Sequence, residues 1–191
     1  DFSLTVSDIV EAETVSGTVV DGYVSGSTVK LLDVEGNVLA TTTTNSSGQY
    51  SFEVSDNKGV KIVADGGIDT TTGEAVTITL TASKDSKYVS ALTTIVEAAG
   101  SDAAAVLANL GLSSDFDLDT SNPLENLEAQ KINANLINII AIGEGLLEGA
   151  GLSDSAGDEL IVSQIVNTLK TGTDISTATA IFTKATNTIG R

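Results

Sequence analysis

The chain has 191 residues, with 26 acidic against 9 basic side chains for a formal charge of −17, and it contains no Cys, Met, His or Trp. Thiolate and imidazole nucleophiles, histidine acid–base chemistry and most zinc or copper sites are therefore excluded, leaving carboxylates, hydroxyls, amides and ammonium groups. A surface this acidic repels nucleic acid and anionic lipid and draws cations, calcium above all.

Absence of Cys, with abundant Thr, Ser, Asn, Gly and Ala, points to an extracellular prokaryotic protein. A chain of this length buries roughly 70% of its unfolded surface and needs no disulfide staples. It begins at Asp1 without an initiator Met or an apolar leader, which implies a removed signal peptide or a fragment. The longest apolar run, 136–142, is interrupted by Asn138. It falls far short of the ~20 residues of a membrane span, so no membrane insertion is expected.

At the start, Phe2, Leu4 and Val6 alternate with Ser3, Thr5 and Ser7, a strand pattern tethered to the rest of the chain through Asp8, Glu11 and Glu13. Such a terminal strand either completes its own sheet, the favoured reading, or inserts beside an edge strand of a neighbouring molecule. Exchange of that kind links copies head to tail, and a contact that does not close makes a fibre. Residues 1–12 are accordingly set apart as strand and tether.

Residues 13–84 read as an antiparallel β-sandwich, rich in Thr and Val with period-2 alternation. Strands are predicted at 15–20, 28–33, 38–44, 50–54, 60–64 and 75–80. Gly, Asn and Asp punctuate them at 21–22, 35–37, 45–48, 56–59 and 65–67, where tight turns need positive φ.

Beyond Tyr88 the period becomes 3.6, so residues 85–191 are expected to be helical and the fold class α+β. One stripe carries Tyr88, Leu92, Ile95, Val96 and Ala99; a second carries Val106, Leu107 and Leu110. Asn122 and Pro123 announce a third helix, with Ile132, Leu136, Ile139, Ile140, Gly143 and Leu147 on its face and apolar residues almost all round at 136–142. Asn133, Asn135 and Asn138 are read as its polar edge, with register between helices across a subunit contact as the alternative. Two more helices come next, around Leu160 to Leu169 and, capped by Asp174, around Ile175 to Ile189. The short link at 81–87 predicts one rigid body.

The segments 15–22, 29–33, 36–37 and 44–52, the last reading Thr-Asn-Ser-Ser-Gly-Gln-Tyr-Ser-Phe, resemble the prealbumin-like or carboxypeptidase-regulatory-like (Cna-B type) module, relatives of which recur in bacterial surface adhesins. The continuation through 66–74, 80–82 and 89–96 is similar to a junction in large secreted bacterial surface proteins, where a β module runs into a helical segment. The resemblance implies an extracellular structural or adhesive setting and no catalytic residues. Some such modules carry an internal Lys-to-Asn isopeptide bond near a buried carboxylate. No such triad is matched here, because Lys30 lies between Val29 and Leu31 and should face solvent.

Two acidic groups are weighed as metal sites. Asp115, Asp117 and Asp119 alternate on a loop and could converge on calcium, which takes six to eight oxygens. The match to an EF-hand is poor, since Thr120 stands where Gly is needed and Asn126 where Glu is needed, and a solvated helix-capping loop is the favoured reading. Asp65, Asp69 and Glu74 form the second group, read first as ordinary turn chemistry. No Ser has a His to activate it, and Lys84, Lys87 and Lys131 are the only candidate bases for a Ser–Lys pair. The sequence therefore predicts no enzyme but a self-associating structural subunit of an extracellular filament or surface lattice, with Phe2, Leu4 and Val6 as interaction residues. The alternative is an adhesive or ligand-binding module of a larger surface protein; a secreted hydrolase is a remote third.

Overall fold

Alternating burial along Gln49–Val54, with Tyr50, Phe52 and Val54 inward and Gln49, Ser51 and Glu53 outward, is the signature of a strand with one face on a core. The same logic builds the whole N-terminal half. In the computed structural model, which describes residues 12–55, 58–113 and 115–173, the strands are β1 (Glu13–Val19), β2 (Val24–Ser25), β3 (Thr28–Asp33), β4 (Val38–Thr43), β5 (Gln49–Val54), β6 (Gly59–Asp65), β7 (Ile68–Asp69), β8 (Leu80–Ser83) and β9 (Tyr88–Val89). The terminal strand expected at 2–6 and the helix expected after Asp174 lie outside the described residues.

One sheet has the order β5-β1-β9, with β1 antiparallel to β5 and parallel to β9. The other is antiparallel throughout, in the order β4-β3-β6-β8, and β2 with β7 makes a small ribbon. Val15, Val19, Tyr50 and Phe52 from the first sheet and Val29, Leu31, Ile62, Ala64 and Leu80 from the second are buried in one core.

Helices come after the strands as the change of period predicts, and the protein is α+β with strands N-terminal and helices C-terminal. They are α1 (Ala91–Ala99), α2 (Ala103–Leu110), α3 (Leu127–Glu148) and α4 (Asp154–Lys170). Residues 91–110 are long and apolar enough to cross a membrane by composition. Here they are two helices broken at Gly100, and Leu92, Ile95, Val106 and Leu110 belong to the same core as the sheets. That core continues through Leu136, Ile140, Leu147, Ile161, Ile165 and Leu169, so β and helical halves share one apolar interior. Burying each such side chain contributes about 1.5–3 kcal/mol.

Three expectations need correcting. Residues 75–79 alternate correctly, Val76 and Ile78 being buried, yet form no strand; pairing with β6 is made by β8, starting at Leu80. Asn122 does not cap the long helix. Its side chain accepts from Leu124 N–H at the head of a 3-10 turn (Pro123–Glu125), while Asn126 caps α3 through Ala129 N–H. Finally, α3, expected from its apolar run to be central and covered on several sides, leaves Ile142 and Leu146 57% and 52% exposed.

Candidate functional site

The junction between halves explains the run Ser90-Ala91-Leu92-Thr93-Thr94. Ser90 caps α1 by accepting from Thr93 N–H, and Thr93 returns its hydroxyl to Ser90 N–H, a reciprocal capping box. The same threonines hold β8: Thr81 N–H donates to Thr94 Oγ1 at 2.8 Å, and Thr93 Oγ1 donates to Thr81 O at 2.8 Å. Asn133, from the middle of α3, is buried and accepts from Leu92 N–H, satisfying one of the orphan donors at the head of α1. Asn135 and Asn138 are exposed. Of the three amides, only Asn133 thus ties two helices together, and it does so within the chain.

The irregular strip 76–79 is fastened to helices by carboxylates. Thr79 N–H donates to Asp158 Oδ2 at 2.9 Å, and Thr77 Oγ1 lies 3.5 Å from Glu144 Oε2. Both carboxylates are buried, at 5% and 7% exposure. With α4 held this way and α1 held by the Thr81 bonds, a cleft of about 780 Å³ opens between the outward face of the four-stranded sheet and these two helices. Lys30 and Leu32 from β3, with Lys61 and Val63 from β6, form its floor; Ala98, Val162, Val166 and Lys170 form the opposite wall. Lys30 pairs with Asp65 at 3.0 Å and Lys170 pairs with Asp102, so two of the three lysines are already neutralised.

The acidic residues expected at 115–119 do not converge. Asp117 Oδ1 accepts from Asp119 N–H and its Oδ2 from the Thr120 hydroxyl. These bonds, the Thr120 hydroxyl first, hold its carboxyl below the usual range. Asp119 accepts from the Ser86 hydroxyl at 2.6 Å, and Asp115 is exposed. Asp117 thus closes a turn and Asp119 ties it to Ser86. In the second group, Asp65 faces Lys30, Asp69 accepts from Thr71 N–H and the Thr72 hydroxyl, and Glu74 is exposed. Among the described residues, no three acidic side chains stand close enough to share a metal ion.

Asp69 instead has a carboxylate neighbour that sequence reading assigns only to a turn. Asp21 lies beside it in a pocket of about 360 Å³ against α3 residues Ile137 and Ala141. Burial, and then the charge of Asp69, push Asp21 up to about 6. Gly22 makes this approach possible, because a Cβ there would lie 2.0 Å from Asp69 Oδ1. The nearest signal in the sequence is the Asp21-Gly22 pair itself, which says nothing of Asp69 forty-eight positions on.

As for nucleophile chemistry, Lys84 pairs with Glu13 at 3.1 Å and Asp85 at 3.4 Å. The Glu13 hydrogen bond, foremost, raises its pKa, the opposite of what a general base requires. Searches of protein-family models, of curated proteins and of solved structures found no match to this chain.

Proposed function

We propose that this chain is a non-catalytic structural subunit of an extracellular prokaryotic assembly, a filament or surface lattice, whose partners are further copies of itself. The observation that carries the reading is the edge of β4, which among the described residues pairs only with β3 at the end of the four-stranded sheet, in a body whose two halves are fused through one core. Support also comes from the Cys-free acidic composition, from the donor pattern of Phe2, Leu4 and Val6, and from the resemblance of 15–52 and 89–96 to modules and junctions of bacterial surface proteins. The test is size-exclusion chromatography with electron microscopy across a hundred-fold range of concentration. Concentration-dependent polymers are expected, and a strict monomer throughout would sink the proposal.

A second reading, an adhesive or ligand-binding module of a larger surface protein, draws on the cleft between sheet and helices. Under it the chain is a stable monomer, and substitutions at Lys61 or Val162 abolish capture of its ligand without altering oligomeric state.

A further inference from the structure

If copies exchange strands to build the proposed assembly, one edge must receive them, and the four edges of the two larger sheets differ. The edge of β8 is occupied by α1 through the Thr81 bonds to Thr93 and Thr94. β9 has two residues and runs straight into α1. β5 carries the charge of Glu53, and its inward residues Tyr50, Phe52 and Val54 are already covered, at 4%, 4% and 7% exposure.

β4 is different on every count. Residues 38–44 contain no charge and no proline, in a chain of net charge −17. Charges and prolines are what normally blunt an edge, and an uncharged edge lets two such acidic chains meet with less repulsion. Its inward side also carries small side chains. Ala40 and Thr42 stand opposite Leu31 and Val29 in register; the latter two are fully buried, whereas the former are small and half-exposed. The register shift between Leu31 and Leu32 interrupts the pairing at Leu39, leaving Ala40 to Thr43 as the regular stretch.

We infer that β4, over Ala40 to Thr43, is the acceptor edge, and that its occupant is the Phe2-Ser3-Leu4-Thr5-Val6-Ser7 segment of a second copy. That segment is itself uncharged, and its large alternate side chains supply the apolar volume that Ala40 and Thr42 lack. Backbone pairing gives the attachment, and the three apolar side chains set the register.

Because the chain has no Cys, engineered thiols are unambiguous. Leu4→Cys and Thr42→Cys proteins, purified separately and mixed under oxidation, should yield a disulfide-linked pair of one of each. A Thr41→Glu/Thr43→Glu variant should keep the wild-type circular dichroism and assemble at least ten-fold less. Wild-type polymers together with unimpaired assembly of the double-Glu variant, or with no mixed disulfide, would overturn the β4 assignment and leave the assembly proposal standing. A Leu4→Cys/Thr42→Cys chain that closes on itself at high dilution, while the mixed single variants stay unlinked, would overturn it in favour of pairing within one molecule. Absence of polymers in the wild type defeats both.

Discussion

Asp158 accepts the backbone N–H of Thr79 at 2.9 Å across seventy-nine positions of sequence, so a helix carboxylate takes the place of a neighbouring strand. The acceptor is charged and 5% exposed, which makes this bond stronger than a neutral one. Asp158→Ala is expected to cost roughly 2 kcal/mol, since it deprives a partly buried N–H of its acceptor. For a domain of this size that lowers Tm by about 4–8 °C. Urea unfolding of the variant checks it, and a loss within error of zero would show that the Asp158 bond contributes nothing to holding the strip.

Tyr50 and Gly17 form a second pair whose sign can be predicted. A Cβ at Gly17 would lie 2.6 Å from Tyr50 Oη and 3.0 Å from Lys87 O. Gly17→Ala should therefore destabilise by roughly 1–3 kcal/mol through overpacking. The Tyr50 hydroxyl is buried without a hydrogen-bond partner among the described residues, and burial pushes its pKa up. Removing an unsatisfied group of this kind is cheap, so Tyr50→Phe should be neutral or stabilising. The double variant should recover part of the Gly17→Ala loss, and a strictly additive double-mutant cycle would disprove the clash.

Asp21 sets a pH dependence. Its folded pKa of about 6 lies above the ordinary value of 3.8, so the folded state binds this proton more tightly than the unfolded state. Its contribution is complete at low pH, is lost as pH rises from near 4 through 6, and is a constant penalty above that. Solvent screening at a half-buried position reduces that penalty to about 1 kcal/mol. Asp21→Asn should stabilise by this amount at pH 7.5 and by little at pH 4, read as a shift in urea midpoint. Equal shifts at both values would remove Asp69 and burial as the cause.

Much of the architecture is legible in the sequence because periodicity reports burial directly. The alternation at 49–54 and the 3.6 stripe through Leu92 and Ile95 need no tertiary knowledge. The strip at 75–79 misleads for a physical reason: alternation records which side chains face inward, and it is blind to whether the backbone pairs with a strand or with helix carboxylates. The cap at Asn126 rather than Asn122 is equally hidden, since both are Asn and both accept an N–H two or three residues on. Carboxylate partners are the least legible feature. Asp117 finds Thr120 nearby in sequence, but Asp69 and Asp21 meet only because two distant turns are folded together.

The carboxylate latches also bear on the order of events during synthesis. Residues 76–79 leave the ribosome well before Glu144 and Asp158, whose side chains they bond across 67 and 79 positions. Such long-range partners form late and slow the search for the native state. Until α3 and α4 have been made, the nascent β half lacks the acceptor for the Thr79 N–H, the partner of the Thr77 hydroxyl and the helical part of its core. A chain cut near residue 84 is therefore expected to be no autonomous module but a sticky intermediate, and the helical half acts in effect as a built-in chaperone for the sheets that precede it.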